Sequence, residues 1–327
     1  MRSLLRTAAG VAAVVALVGG CGFGTGQLGI SRLGLGRLGA SQVGAAAFVG
    51  ATKIPLGQVH GQLLAVLAKE GPQVRIELAA GHQLGDLSRK ILTVQIRHQL
   101  LEIAARRAGL AVDQARVNQL IKEAGGVAAG SKGTIFDANS YRQRVKDKLL
   151  MAALGRLAVR NSAVTVDYTT ADTRTAAKRR VEELSQAGPT RARQSIDADL
   201  RAGKDAELDK PIVAADDPIF ATTPAFGVTD GTVVAFQLDD TMPWVIMVVN
   251  SRTNRGTQPS AHAPHLDQID PAVLEAIGLR QLGPVAQALG VRLAPRYGVW
   301  DPVNLQVVSD ENEISGFLAP LRVIRRG

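Results

Sequence analysis

The sequence predicts an α+β fold, mainly helical, from three observations. Apolar residues recur with a helical period over most of residues 56–159. Short β-branched runs stand at 163–168, 232–238 and 244–250. Two further helical runs lie between the first and second of these. The chain has 327 residues, enough for two or three structural units with real cores. Its 46% hydrophobic and 20% charged residues exclude a wholly disordered chain. Aromatics are only 4%, so Ala, Val, Leu and Ile must build most of the core. A single cysteine excludes an intramolecular disulfide framework and any multi-cysteine metal site.

Residues 1–20 read as a secretory signal. Arg2 and Arg6 form a short basic start, Thr7–Val18 is apolar or small, and Val18-Gly19-Gly20 leads into Cys21. The apolar run is too short to cross a bilayer, which needs about 20 residues. The segment resembles a bacterial lipobox. That resemblance implies that Cys21 is diacylated, becomes the first mature residue and anchors the protein outside the cytoplasm. Two acyl chains anchor stably where one does not. Loss of Arg2 and Arg6 would take the formal charge from +9 to +7. No second apolar run of about 18 residues follows, so the remainder is expected to be soluble.

Residues 21–44 read as a flexible glycine-rich tether. They match G-x-G-x-x-G at Gly24, Gly26 and Gly29, and again at Gly34, Gly36 and Gly39. A dinucleotide site needs that motif between a strand and a helix, and no strand precedes it here.

Ala45–Ile54 reads as two short strands around Gly50. A helix is expected from Leu56 to Lys69, stopped by Gly71-Pro72. The next runs from Leu84 to Ala108. It carries one stripe through Leu87, Ile91, Val94 and Leu101, and a second through Leu92, Ile96, Leu100 and Ile103. Arg106, Arg107 and Gly109 suit its C-terminal end. Asp113 should cap a short helix to Glu123, and Gly125–Gly133 reads as a loop. Asn139 or Ser140 should cap a helix over Tyr141–Val159, with Val145, Leu149, Ala153 and Leu157 on one face. Six Lys or Arg and one Asp lie between Tyr141 and Arg160, either a solvated face or a patch for acidic clients or lipid headgroups. A strand over Ala163–Tyr168 precedes helices at Thr173–Gln186 and Thr190–Arg201. Residues 204–225 read as irregular, and Thr232–Leu238 and Trp244–Asn250 as strands around a turn. Arg252–His265 reads as a linker. Pro271 should open a helix to Leu289 that Gly283-Pro284 splits, and Val303–Val308 reads as a late strand.

Catalytic and cofactor motifs are mostly absent. Gly125–Lys132 nearly spells a phosphate loop, but Ser131 precedes Lys132 and a helix leads in, so nucleotide binding is not expected. His60, His82, His98, His262 and His265 form no H-E-x-x-H, and no metal site is expected. His98 lies on the Leu87–Leu101 face and suits a hydrogen-bonded core or rim position. No G-x-S-x-G or S-x-x-K occurs. Asp216-Asp217 and Asp239-Asp240 are adjacent pairs, which on a strand point to opposite faces. No catalytic residue, cofactor or nucleic-acid partner is assigned.

The order AAAFVGATKIPLGQV, GDLSRKILTVQIRHQLLEIAARRAGLAV, DQARVNQLI and YRQRVKDKLLMAALGRLAV resembles the N-terminal domain of the SurA and PrsA periplasmic foldases. VTVDYTTA, TAAKRRVEELSQAG and ATTPAFGVTDGTVVAFQLDDTMPWVIMVVNSR resemble the first strand, first helix and closing section of a parvulin, the rotamase unit of that family. Active parvulins carry histidines in the first and usually the final strand. Here Asp167-Tyr168 and Trp244–Val249 stand there. RYGVWDPVNLQVV at 296–308 resembles the ending of actinobacterial SurA-like lipoproteins.

The resemblance implies five stretches: signal 1–20, lipidated tether 21–44, helical SurA-like domain 45–162, degenerate parvulin-like domain 163–255, and a C-terminal segment 256–327 returning to the N-terminal lobe. It implies an ATP-independent, lipid-anchored chaperone for unfolded exported polypeptides. A prolyl isomerase and a structural or wall-binding lipoprotein are the alternatives. Leu92, Ile96, Leu100, Leu150 and Leu154, on second apolar stripes, are the candidate client-groove residues, the other reading being that both stripes close the core.

Overall fold

The chain folds around two close helix–strand assemblies that its C-terminal segment joins. The structure is a computed structural model that describes residues 44–322 except 71, 82 and 255–262. The readings at the signal, Cys21, the tether before Gly44, His82 and His262 lie outside these residues.

Strands β1 (Ala45–Val49) and β2 (Thr52–Pro55) form the expected hairpin. Gly50 sits at its tip at φ +59°, where a side chain would be strained. A strand the sequence analysis did not expect, β7 (Val291–Leu293), pairs with the other side of β1. Helix α1 covers Leu56–Lys69 as expected. The helix stops at Lys69 as expected, but a second helix, α2 (Pro72–Ala80), opens on Pro72, a residue favoured in the first helical turn. Helix α3 (Gln83–Arg107) ends before Gly109, at φ +65°.

Asp113 caps α4 (Gln114–Glu123) by accepting from the Ala115 N–H. The expected loop after it contains a short helix, α5 (Val127–Ser131). Helix α6 runs Ala138–Asn161. Its cap is Asp137, not Asn139 or Ser140. Asp137 accepts the Ser140 N–H at 2.7 Å, while its own N–H donates to Ser140 Oγ at 2.8 Å. Ser140 therefore stands three residues inside the helix as the second half of a capping box.

The five-stranded antiparallel sheet has the order β10-β5-β6-β3-β4. β3 (Ala163–Ala171) leads to α7 (Arg174–Ala187) and α8 (Pro189–Arg201). β4 (Glu207–Val213) falls in the stretch expected to be irregular. Asp209 at φ +53° and Pro211 break its pattern, which an edge strand tolerates. β5 (Thr232–Phe236) and β6 (Trp244–Thr253) form the expected pair, and β10 (Gly316–Pro320) adds an unexpected outer strand.

Each face of this sheet is covered. Val181, Leu184 and Ile196 of α7 and α8 pack with Val233, Ala235, Ile246 and Val248. On the other face, Val164, Val166, Val234, Met247 and Val249 meet Phe226 and two residues of α9 (Pro271–Arg280), Leu274 and Ile277. Helix α10 (Gly283–Leu289) follows, so the expected helix is split where Gly283-Pro284 stands. Leu282 just before it and its Val285 and Ala286 join the other core, with Val59, Ile91, Leu101 and Met151.

Helices α6 and α9 approach to backbone contact. A Cβ on Gly155 would lie 1.9 Å from the Leu274 carbonyl oxygen, and one on Gly278 would lie 1.9 Å from that of Met151. Beyond them, β8 (Val299–Asp301) and β9 (Gln306–Val308) form a hairpin where a single strand was expected over 303–308. The reason is Asp301, wholly buried, whose carboxylate accepts the Val303 and Asn304 N–H groups and turns the chain.

Three half-buried arginines tie these parts together through backbone carbonyls. Arg97 donates to Leu305 at 2.8 Å and Asn304 at 2.9 Å. Arg280 donates to Thr222, and to Val303 at 2.7 Å. Arg252 donates to Phe226 at 2.7 Å. Burial pushes each guanidinium down to about 10, still charged at neutral pH. His98 is the rim histidine expected, with Nδ1 3.1 Å from the buried Asp147 and Nε2 3.5 Å from Glu102.

Two predictions follow from this packing. Gly278→Ala should destabilise by about 1–3 kcal/mol or more, read from denaturant midpoints, because α9 must move off α6. The hydrogen bond to Asp147 chiefly holds the His98 pKa above its ordinary value, against burial. Its contribution is full below the unfolded value of about 6.5 and is lost as pH rises through the folded value. The urea midpoint should therefore fall over that range, and His98→Gln should flatten the change.

Candidate functional site

Helix α1, LGQVHGQLLAVLAK, carries more apolar side chains than one face can bury, and one charge. Only Val59 and Val66 are buried. Its polar residues fix its orientation. Lys69 donates to the carbonyls of Ser131 and Thr134, both at 3.0 Å, and to that of Phe136. Gln62 donates to the Ile135 carbonyl at 3.1 Å and accepts from Gln95 at 3.0 Å. With that side pinned, Leu64 is left 53% exposed, and on α2 Ile76 is 62% exposed.

An open cleft of about 560 Å³ lies between α1, the start of α3 and the turn at 295–297. Leu56, Val59, Leu63 and Leu84 give it apolar walls, and Tyr297 is buried beside them. His60 and Arg296 are its ionisable lining groups besides Tyr297, and no carboxylate lines it. Burial raises the Tyr297 pKa, and Arg296 opposes that rise. The cleft can hold a few aliphatic or aromatic side chains and tolerates a neighbouring negative charge.

The groove residues expected from second stripes are placed otherwise. Leu92, Ile96 and Leu100 are each 0% exposed, and Leu154 is buried too. Leu150 is half-buried against the same core. Leu92, Ile96 and Leu100 offer no groove surface, because α1, β1, α6 and the C-terminal segment surround α3, while Leu154 lines a separate cleft with Ala104, Leu157 and Val285. The second stripe of α3 is core. Exposed apolar side chains stand instead at Leu64 of α1 and Ile76 of α2. The signal for the first is α1 itself, a short helix with apolar residues on nearly every side.

The stripe expected on α6 also drifts. Val145 is buried, but Leu157 is exposed, because Met151, Leu154, Gly155 and Ala158 face inward instead. Part of the α6 basic run is partnered. Arg144 and Lys148 lie 3.7 and 3.3 Å from Glu275, and Arg142 donates to Asn118. Such exposed pairs add little stability.

In the five-stranded sheet, Asp167 is buried and accepts the Asp209 N–H at 2.7 Å, with Arg193 3.4 Å away. It is a structural acceptor holding the β4 bulge. Tyr168 donates to Asp205 at 2.9 Å. Among the described residues no cluster of three His, Cys, Asp or Glu is placed to hold a metal. Among them no helix is long and apolar enough to cross a membrane.

No family model and no curated protein matches the chain. Among solved structures, the foldase protein PrsA from Lactococcus lactis is similar over 77% of this chain and 95% of its own. Identity is 10% and the TM-score 0.28, a likeness too slight to transfer a fold or an activity.

Leu64→Ser with Ile76→Ser should lower the fluorescence of a bound hydrophobic dye. The melting transition should stay within about 0.5 kcal/mol of the parent, since both side chains are at the surface.

Proposed function

We propose that this protein is a lipid-anchored, extracytoplasmic folding chaperone. It binds unfolded exported polypeptides without ATP. The observation that carries the reading is the uncovered apolar cleft along α1, a helix that also exposes Leu64. Weak, non-directional burial of apolar side chains gives capture, and modest affinity gives release without a nucleotide. Diacylation at Cys21 would hold the cleft at the membrane, raising its local concentration for emerging chains.

We read residues 45–162 as the SurA-like lobe, 163–255 as a degenerate parvulin-like unit and 256–327 as the returning segment. The order strand, two helices, strand and closing hairpin over β3 to β6 supports the middle assignment. Prolyl isomerisation is the weaker reading. α9 fills the sheet face opposite α7 and α8, and the first strand offers a sequestered Asp167 where the resemblance calls for histidine.

The test is aggregation of an unfolded client. The protein should suppress it near stoichiometric ratio, and Leu64→Asp with Ile76→Asp should remove most of the effect. A parent protein that suppresses nothing would refute the reading. Cys21→Ser should move the protein from the membrane fraction to the soluble one.

A further inference from the structure

A second cleft lies far along the chain from α1. It holds about 490 Å³ between α10, the start of β7, Trp300 and β10. Ala286, Val291, Trp300, Pro302 and Leu318 make it apolar, and no charged side chain lines it.

Two sheet edges meet at this cleft. β7 is an outer strand of the three-stranded sheet, and β10 is an outer strand of the five-stranded one. The backbone alternation shows what each edge presents. Gly50 N–H donates to Gly290, and Ala294 N–H to Ala46, so Arg292 between them also faces β1. Val291 and Leu293 then direct their N–H and C=O groups outward. In β10, Leu321 N–H donates to Gly231, so Ala319 and Phe317 face β5 and Leu318 faces outward. Among the described residues, no hydrogen bond to these outward groups is found.

Exposed edges are commonly blunted by charge or covered by other elements. Here the groups border an uncharged apolar cleft instead. An aliphatic side chain could rest there, but a charged one would lose its solvation. A compact small molecule would leave the backbone row unpaired, whereas an extended chain satisfies both features. We infer that this cleft binds an extended, uncharged apolar polypeptide segment, which adds a strand at the Val291 and Leu318 edges and packs its side chains on Trp300. The site is separate from the α1 cleft and does not depend on it.

The probe is a blocked pentapeptide of alternating Val and Thr, compared with the same peptide N-methylated at its valines. The readout is tryptophan emission. Trp300 lines the cleft, and the other tryptophan, Trp244, is buried in the sheet core. The unmethylated peptide should shift the emission, the methylated one should bind about ten-fold more weakly, and Trp300→Phe should abolish the signal. Val291→Pro removes an outward N–H alone and should weaken the parent peptide by a similar factor. If that variant does not fold, the methylated pair still decides. Equal binding of both peptides, or no change at Trp300, would overturn the inference. So would sedimentation showing that two copies pair through this edge. None of those results would alter client protection by the α1 surface.

Discussion

The crossing of α6 and α9 at Gly155 and Gly278 is the contact on which the rest of the structure depends. It puts two helices at backbone distance, where no side chain fits. On one side of it α9 sends Leu274 and Ile277 into the sheet core. On the other, α10 sends Val285 and Ala286 into the helical core. A helix standing a few ångströms further out could do neither without opening voids, and close-packed interiors do not tolerate those. The crossing thus makes one segment the lid of two cores.

Three half-buried arginines reinforce that arrangement by other means. A chain poor in aromatics has few large side chains to lock its turns. Arg97, Arg252 and Arg280 reach into the gaps and bind main-chain carbonyls of the 222–228 and 303–305 turns. Charge-assisted hydrogen bonds of this kind are stronger than neutral ones, and here they keep irregular backbone satisfied where no ladder passes. Asp301 answers with its carboxylate, turning the chain beneath Arg97 and Arg280 and offsetting their positive charge.

Local signals made much of the fold legible. The Gly50 hairpin, α1, the Asp113 cap and the α9–α10 break follow from turn chemistry, periodicity and proline. The misses share a cause. β4, β7 and β10 are edge strands held by partners distant in sequence, and their own residues are too few or too mixed to announce them. Asp137 and Ser140 compete for the cap in the sequence because both satisfy the same preference, one from each half of the box. The site was less legible still. A second apolar stripe shows that a helix meets more than one surface, but not whether the second is protein or solvent. For Leu92, Ile96 and Leu100 it was protein, supplied by segments some two hundred residues later, as the Thr93 bond to Val307 records.

The pairing of Ala47 with Leu293 joins segments 246 residues apart. Such wide sequence separation gives the fold a high contact order, and folding slows as that rises. A chain delivered N-terminus first has its β1 hairpin long before the strand that completes the sheet, and α6 before the helix that crosses it. Until then both cores stand open. Closing both cores therefore depends on segments that lie far along the chain, not on the helices alone.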